Sequence, residues 1–372
     1  QVNYKNKKRY KTAKYPLHQN KFWTGLIWLL SKIVLMNKKY KVEKINMEGL
    51  KPPYMLLSNH QYFIDFELCA MGTFPHRVNN VVSIDGYYRR PWLMELIGCI
   101  GTRKYVTDLH LVKSIRRVLQ RGDILCMYPE ARYSPCGTLA YLPDSLGKLV
   151  KLNKVPVVAV VHRGNHLYAP FWNFRSKRKV PLHTTLKLIL TPEQIARMTV
   201  EEINDLLKKE LSYDDYRYQK ENGIRITEPF RAEGMHKVLY KCPHCGAENR
   251  MEGQGIHLTC HECGKKWEKD EFGQLAAREG ETEFSHIPDW YTWQRECVRK
   301  ELEDGTYLLD TDVDIAVQVN LDGVFMIGKG HLTHDLNGFH LTGCDGRLDY
   351  TQSPKSCYSL YADYNWYEIG DV

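Results

Sequence analysis

The chain has 372 residues, of which 43% are hydrophobic and 26% are charged, and these values are typical of folded globular proteins. They exclude a chain that is disordered throughout, a collagen-like chain and a protein with many membrane spans. The net charge of +8 is uneven, because residues 1–275 hold 45 basic and 26 acidic residues whereas residues 276–372 hold 7 and 18. The basic part indicates an anionic partner, which is a nucleic acid, a membrane surface or a phosphorylated substrate.

The first predicted element is a basic arm with an apolar helix, over residues 1–45. The first 44 residues contain 12 Lys and Arg against one acid, Glu43, and a mostly apolar run extends from Phe22 to Met36. A helix of this length rises about 22 Å, which is short of the roughly 30 Å hydrocarbon core of a bilayer. The pattern predicts a helix that lies in one leaflet of an anionic membrane, and the alternative is an ordinary buried helix.

Between residues 46 and 215, short apolar runs alternate with amphipathic stretches, which predicts a layered α/β domain. Strands are predicted at 54–58, 81–84, 124–128, 156–161 and 185–190. Helices are predicted at 107–120, after Thr191, and after the capping box formed by Thr199 and Glu202. The polar residues 216–235 predict a connector.

A histidine and a carboxylate follow the first of these strands, as Asn59-His60 and, five residues after the histidine, Asp65. A carboxylate at that spacing can fix the tautomer of the imidazole and stabilise the imidazolium that forms when it takes a proton. The chain has no Gly-x-Ser-x-Gly sequence, so the predicted nucleophile is a hydroxyl of the substrate. A core histidine beside a helix-capping aspartate is the structural alternative.

Two further loops carry charged residues beside predicted strands. Gly98 begins a turn that ends in Arg103, and a glycine-loosened turn with a terminal cation can hold a phosphate. Glu130 and Arg132 come just past the strand at 124–128, where ligands bind in α/β sheets. Glu130 is predicted to accept a hydrogen bond from a substrate hydroxyl, and Arg132 to face a phosphate. The alternatives are a solvated surface turn and a structural Glu–Arg pair.

In their order and spacing, these blocks and the apolar strand start at 155–158 resemble the glycerolipid acyltransferase family, the PlsC-like lysophosphatidate acyltransferases. The family's blocks are N-H-x4-D, G-x4-R, F-P-E-G-T-R-S and V-P-V/I, and the resemblance covers roughly residues 45–195. It implies an acyltransferase domain over residues 46–215, in which His60 is the general base and Asp65 orients it. It also implies that Arg103 and Glu130 bind the phosphorylated acceptor. Asn59, Gly98 and Arg132 lie in or beside the same blocks and are predicted substrate-binding residues.

The third block departs from the family pattern in two places. Ala131 stands where the family usually has Gly, and Arg132-Tyr133 stands where Thr-Arg is usual, so the arginine is shifted by one position. These departures bear on the acceptor more than on acyl transfer. A basic and aromatic run at 171–179 follows the fourth block. It is predicted to contact phospholipid headgroups, the phosphates of acyl-CoA or an acidic acyl carrier protein, and the alternative is a solvated loop.

Four cysteines form two C-x-x-C-G pairs, Cys242 with Cys245 and Cys260 with Cys263, and 14 residues separate the pairs. Each pair turns two thiolates toward one ion, which predicts a closed, tetrahedral structural Zn²⁺ site in a ribbon over residues 236–275, with iron as the alternative. The ribbon lacks a dense cluster of Lys and Arg, so no nucleic-acid binding is expected. The seven scattered cysteines are typical of a reducing, intracellular compartment.

The acidic residues 276–372 predict a small antiparallel β-rich domain. Apolar residues alternate strictly from Val313 to Leu321, and Asp322-Gly323, Asn337-Gly338 and Asp345-Gly346 are hairpin turn signals. No motif in this domain indicates a chemical role.

Together these features predict a membrane-associated O-acyltransferase of phospholipid biosynthesis, peripheral or monotopic on the cytoplasmic face of the cell membrane. It would move a fatty acyl group from acyl-CoA or acyl carrier protein to the hydroxyl of a lysophospholipid, by default 1-acylglycerol-3-phosphate. One alternative is the same chemistry on a glycolipid or aminolipid precursor. The other is a non-catalytic lipid-binding scaffold that uses the ribbon and β domain to bind partners. The sequence leaves the oligomeric state and the donor chain length open.

Overall fold

The computed structural model describes residues 15–87, 90–103, 108–317 and 325–356. These residues form a mixed α/β structure with one seven-stranded sheet and two four-stranded antiparallel sheets. The predicted α/β layering of the first half, the β-rich ribbon and the antiparallel C-terminal sheet are therefore all present.

The seven-stranded sheet is dominated by parallel pairs, and the antiparallel β6–β7 pair is the exception. Its strand order is β1-β7-β6-β2-β5-β3-β4. The central strands β2 and β6 are almost wholly buried and apolar, as expected for parallel strands covered on both faces. The strands are β1 Tyr40–Ile45, β2 Met55–Ser58, β3 Val78–Ser83, β4 Ile100–Thr102, β5 Ile124–Met127, β6 Val157–Arg163 and β7 Leu182–Leu190.

Helices cover both faces of this sheet. On one face, α4, α5 and α8 pack Ile115, Val150 and Leu207 into one apolar core, and on the other face α1 and α2 pack Leu35 and Leu68 together. The capping box predicted from Thr199 and Glu202 is formed, and the helix predicted after Thr191 also begins with a capping box, between Thr191 and Gln194. The helices are α1 Lys21–Leu35, α2 Ile64–Thr73, α3 Pro91–Leu96, α4 Leu109–Gln120, α5 Ser145–Asn153, α6 Asn165–Tyr168, α7 Pro192–Arg197, α8 Val200–Leu211, α9 Asp215–Glu221 and α10 Ile287–Glu303.

Helix α1 and its C-cap residue expose six apolar side chains to solvent, although two hydroxyl residues of the helix are buried. Thr24 and Ser31 are buried together with Leu35, and the hydroxyl of Thr24 donates to the side chain of Gln19 at 3.1 Å. The exposed apolar side chains are those of Phe22, Leu29, Leu30, Ile33, Val34 and Met36. Among the described residues, no helix has both the length and the apolar character that a membrane crossing requires.

The ribbon is a four-stranded sheet with strand order β11-β10-β9-β8, and it shares a core with the α/β domain. Trp172 and Tyr216 of the first half lie in the same apolar cluster as Leu258 and Trp267 of the ribbon. The ribbon is therefore packed against the α/β domain. Its strands are β8 Met251–Gln254, β9 His257–Cys260, β10 Lys266–Lys269 and β11 Leu275–Ala277.

The stretch 216–235, predicted as a connector, contributes to that shared core. It holds most of α9, and Ile224, Ile226 and Ala232 are buried in the cluster. Gln219 donates from its amide to the backbone carbonyls of Ile224 and Glu271, both at 3.1 Å. The polar composition of residues 216–235 indicated a linker, but their few apolar residues are enough to pack this segment between the α/β domain and the ribbon.

Helix α10 lies in the part of the chain that was predicted to be β-rich, and it packs on the ribbon. Trp290 is fully buried, stacks edge-on with Trp267 at a centroid distance of 5.0 Å, and donates to the carbonyl of Lys241 at 3.0 Å. Pro288 at the start of the helix is a start signal that could have revealed it. The antiparallel sheet β12 Leu309–Val317, β13 Phe325–Asp335, β14 Gly338–Gly343 and β15 Leu348–Gln352 follows, while the predicted Asp322-Gly323 turn lies outside the described residues.

Candidate active site and metal centre

The candidate active site lies at the carboxyl edge of the central strands. Strand β2 lies between β5 and β6 and is parallel to both, so the residues that follow these three strands meet at one edge of the sheet. His60 follows β2, Glu130 follows β5, and Asn165 follows β6. This edge is where α/β sheets ordinarily bind ligands.

His60 and Asp65 form the predicted pair. The imidazole Nδ1 of His60 lies 3.0 Å from Oδ2 of Asp65. The side chain of His60 is 22% exposed, whereas that of Asp65 is 0% exposed. Nε2 of His60 makes no hydrogen bond to any described residue, so this nitrogen is left to meet a substrate. Asp65 lies in the first turn of α2, where the helix dipole also favours a negative charge.

Asp65 is held as a carboxylate by a full set of donors. Its Oδ2 accepts from the backbone N–H groups of Gln61 at 2.7 Å and Tyr62 at 3.1 Å, and its Oδ1 accepts from the amide of Asn165 at 2.6 Å. Burial opposes ionisation, but the nearby His162 and the hydrogen bonds from His60 and Asn165 leave the pKa of Asp65 below its ordinary value. The buried carboxylate can therefore stabilise an imidazolium at His60.

Two tyrosine rings and one backbone bond hold the imidazole in place. The ring of Tyr128 stacks on that of His60 at a centroid distance of 4.1 Å, and the ring of Tyr133 lies at 4.3 Å. The N–H of Ser134 donates to the carbonyl of His60 at 2.8 Å. Tyr133 is the residue that stands where the resembled family has arginine, so here that position contacts the imidazole with an aromatic ring.

Glu130 supports the site from within. It is 2% exposed. Its Oε1 accepts from the backbone N–H of His60 at 2.9 Å, and its Oε2 accepts from that of Ala140 at 2.7 Å. Both oxygens are thus engaged with backbone donors, and the expected hydrogen bond from a substrate hydroxyl stays a prediction.

At about pH 5, where the carboxyl is protonated, Glu130→Gln is expected to lower the free energy of unfolding by about 1–3 kcal/mol, because either oxygen of a carboxyl can accept a hydrogen bond whereas the amide nitrogen cannot. The backbone N–H of either His60 or Ala140 then faces an amide donor. Thermal and urea unfolding of the variant measure the loss. Glu201→Gln, at an exposed residue in the first turn of α8, is the matched control and is expected to change stability by less than about 0.5 kcal/mol. Equal stability of the two variants would contradict this role of Glu130.

The same carboxyl predicts a pH dependence. Burial raises the pKa of Glu130 to about 8, against the two backbone hydrogen bonds, which lower it. The unfolded value is near 4.3, so its contribution to stability is complete below about pH 4 and is lost as the pH rises through about 8. Unfolding free energies measured from about pH 5 to pH 8 should therefore fall more steeply for the wild type than for Glu130→Gln.

Asn59 joins two strands and is fully buried. Its amide nitrogen donates to the carbonyl of His162 at 3.0 Å, and its amide oxygen accepts from the N–H of the same residue at 2.8 Å. The two bonds fix the end of β2 against β6 one residue before His60. The predicted contact between Asn59 and a substrate does not fit this arrangement, because both ends of the amide bond to the backbone.

Of the two predicted phosphate-binding regions, only one lies beside His60. Arg132 is half-buried in the loop after β5, next to Tyr133. Arg103 follows β4, three strands from β2 in the sheet order, which amounts to about 14 Å at 4.8 Å per strand. Gly98 precedes β4, and its carbonyl accepts from the side chain of Asn79. It therefore lies at the opposite edge of the sheet, so the structure does not bring Gly98 to the site.

Several contacts of this site join residues that are distant in sequence and were not predicted to meet. Asn165 lies 100 residues from the carboxylate that it bonds, and Tyr128 and Tyr133 contact His60 from a different strand end. The imidazole of His162 is fully buried and bonds the hydroxyl of Thr184 at 2.8 Å. Asn165 could have been found from its place just past a buried parallel strand, where ligand-binding loops occur.

The four cysteines form a candidate metal centre. Their sulfur atoms all lie within 4.8 Å of one another, and Cys242 to Cys263 and Cys245 to Cys260 are each 3.8 Å apart. A tetrahedral ion with Zn–S bonds of about 2.3 Å implies sulfur–sulfur edges of about 3.8 Å. The two halves are alike, because Gly246 and Gly264 both have a positive φ and donate to the carbonyls of Cys242 and Cys260, each at 2.9 Å. The donor set thus fits the predicted Zn²⁺.

No protein-family model and no curated protein matches this chain. The fold is similar to the crystal structure of the 1-acyl-sn-glycerophosphate (LPA) acyltransferase PlsC from Thermotoga maritima, with a TM-score of 0.41 and 16% sequence identity. The similarity covers 51% of this chain and 79% of that chain. It is a distant likeness to the fold of an acyltransferase.

Proposed function

We propose that this protein is an O-acyltransferase that moves a fatty acyl group from a thioester to the hydroxyl of a lysolipid. The observation that carries the proposal is the His60–Asp65 pair. It joins a buried carboxylate to a partly exposed imidazole whose Nε2 bonds no described residue. Such a pair provides a general base next to open space, and no serine or cysteine nucleophile of the chain is needed.

The proposed reaction needs one proton acceptor and a good leaving group. Nε2 of His60 takes the proton of the acceptor hydroxyl as its oxygen attacks the thioester carbonyl, and Asp65 stabilises the imidazolium. The tetrahedral intermediate expels the thiolate, and the new ester keeps the acyl group. The imidazolium then returns its proton to the thiolate or to water. Asn165 and Glu130 take no part in these steps but hold the two reacting residues in place.

The proposed donor is acyl-CoA or acyl carrier protein, and the default acceptor is 1-acylglycerol-3-phosphate, which gives phosphatidate. The acceptor assignment rests on the resemblance of the motifs. Tyr133 on the imidazole keeps a second acceptor class open, because the resembled family has an arginine at this position. The polar headgroup of a glycolipid or aminolipid precursor would not require an arginine at this position for binding.

Release of free thiol from palmitoyl-CoA, measured in mixed micelles, tests this function. Release is expected to require both the protein and an acceptor. The protein is expected to release thiol faster with lysophosphatidate than with monoacylglycerol as the acceptor. A preference for another lysolipid would keep the chemistry and change the acceptor. Equal release without any acceptor would identify a thioester hydrolase instead. Absence of acyl transfer from both palmitoyl-CoA and palmitoyl-acyl carrier protein would overturn the proposal and favour a lipid-binding scaffold.

We also propose that α1 lies in one leaflet of an anionic membrane, at the surface that holds the acceptor. What supports this is that six apolar side chains of the helix and its C-cap residue are exposed to solvent, while Thr24 and Ser31 are buried with Leu35. An isolated soluble domain gains nothing from such an arrangement, whereas a bilayer buries the apolar side chains. The cytoplasmic face of the cell membrane stays a prediction.

Replacing both Leu29 and Ile33 by serine is expected to weaken binding to anionic liposomes by at least about 100-fold, at 1.5 kcal/mol or more for each buried side chain. Co-sedimentation with phosphatidylglycerol-containing vesicles measures this. Leu302→Ser on α10 is the control, because Leu302 is 40% exposed against 47% for Leu29. Unchanged co-sedimentation of the double variant would remove α1 from the membrane contact.

A further inference from the structure

A lysine lies beside the candidate active site in the loop between the short 3-10 helix Phe171–Asn173 and β7. The ammonium of Lys177 donates to the hydroxyl of Tyr62 at 2.5 Å and lies 4.3 Å from the centroid of the same ring. It also contacts the carbonyl of Phe174. The ring and the hydroxyl of Tyr62 both stabilise a cation in this position. These two contacts hold the ammonium group of Lys177 in one position.

Tyr62 connects this lysine to the reacting pair. It lies two residues after His60, and its backbone N–H is one of the donors to Asp65. Two residues span at most about 7 Å of chain. The backbone of Tyr62 therefore lies close to that of His60, and its side chain brings Lys177 to the loop that carries the imidazole, although 115 residues separate Lys177 from Tyr62 in sequence.

The charge of Lys177 is not matched by an acid. No carboxylate of the described residues forms an ion pair with it. Its neighbour Arg178 is 3% exposed and directs its donors at the carbonyls of Ser176, Asn173 and Phe230. Burial and the charge of Arg178 lower the pKa of Lys177 to about 8. Arg178 has Glu228 as a nearby acid, whereas the unpaired ammonium of Lys177 forms a local positive charge that an anion would neutralise.

We propose that Lys177, held on the ring of Tyr62, binds the phosphate of a substrate beside His60. The proposal rests on the proposed function and deepens it. It also accounts for the altered third block, because Tyr133 replaces the motif cation and Arg103 lies three strands away. The phosphate comes either from the acceptor headgroup or from coenzyme A, and both offer the same chemistry to an ammonium group.

Direct binding separates these two sources without any turnover. Calorimetric titration of wild type and Lys177→Met would use coenzyme A against pantetheine, and a short-chain lysophosphatidate against the matching monoacylglycerol. The variant is expected to bind one phosphate-bearing probe about 10- to 100-fold more weakly, the usual effect of one charge-assisted hydrogen bond. Its affinity for the phosphate-free analogue should not change. Lys179→Met, two residues on and exposed, is the matched control.

Steady-state kinetics then test whether Lys177 contributes to substrate binding or to the chemical step. Lys177→Met should raise the KM for the same phosphate-bearing substrate, with kcat changed by less than about threefold, and Lys177→Arg should restore most of the affinity. Equal weakening of charged and uncharged probes, or equal effects of the Lys177 and Lys179 variants, would overturn the proposal. If neither protein transfers acyl groups but the phosphate-selective loss persists, the binding site stands and the proposed function fails.

Discussion

Replacing His60 by alanine is expected to lower kcat for acyl transfer by about 10²–10⁴-fold, the contribution that a positioned general base ordinarily makes. The physical reason is that Nε2 of His60 is placed to take the hydroxyl proton, while Asp65 holds the other nitrogen at 3.0 Å. The KM for the acyl donor should change little, since the imidazole acts on the proton in transit rather than on the thioester in the ground state.

The control for this variant separates loss of chemistry from loss of fold. The imidazole of His60 lies between two tyrosine rings, so its removal can loosen the loop as well as the reaction. His340→Ala, on the exposed face of the C-terminal sheet, should leave both kcat and the unfolding temperature unchanged. His60→Ala that folds normally and keeps more than about one tenth of the wild-type kcat would exclude the general-base mechanism.

Asp65→Asn provides a second variant at the same pair. Asp65 accepts four hydrogen bonds, from His60, Gln61, Tyr62 and Asn165, and an asparagine would place an amide donor against some of them. A wrong imidazole tautomer then results, as happens in hydrolase triads with a drop of about 10⁴-fold in kcat. A loss of kcat in both variants, with little extra loss in the double variant, is the result expected of residues that act as one unit.

Removal of the ribbon metal is expected to cost several kcal/mol of folding free energy. Cys242 and Cys260 are fully buried, and four uncompensated thiols would occupy a site whose 3.8 Å sulfur separations suit a tetrahedral ion. Structural Zn²⁺ contributes about 10–16 kcal/mol to the folding of isolated zinc-finger peptides. Elemental analysis should give one Zn²⁺ per chain, and chelation or Cys260→Ser should lower the unfolding temperature markedly.

Cys297→Ser is the matched control for the ribbon, because Cys297 is half-buried on α10 and lies outside the cluster. It should keep the wild-type metal content and unfolding temperature. A chain that loses its metal to a chelator and still unfolds at the wild-type temperature would exclude a structural metal role.

Metal loss should also lower acyl transfer, although the ribbon touches no reacting atom. Tyr133 packs against the apolar cluster that contains both Cys136 of the active-site loop and Cys242 of the metal centre. The same ring contacts the imidazole of His60 at a centroid distance of 4.3 Å. Disorder in the ribbon therefore reaches the imidazole through one side chain, which gives the appended ribbon a reason to share its core with the α/β domain.

Much of this arrangement was encoded in short stretches of sequence. The capping boxes at Thr191 and Thr199 involve residues three apart. The His60–Asp65 pair spans a single strand-to-helix turn, and each cysteine pair with its glycine forms one knuckle. Such features depend on local hydrogen bonds and on the period of apolar residues, so a window of a few residues contains the information needed to predict them.

Other parts depended on which distant segments become neighbours. The partners of the Glu130 carboxyl depended on which backbone N–H groups lie next to the end of β5, and the contact of Tyr133 with His60 depended on the path of the loop after β5. The contact between Lys177 and Tyr62, and the packing of α10 on the ribbon, join segments that no local pattern relates. These features were decided by the tertiary structure, because strand order and a shared apolar core choose the partners of a side chain only after the chain has folded.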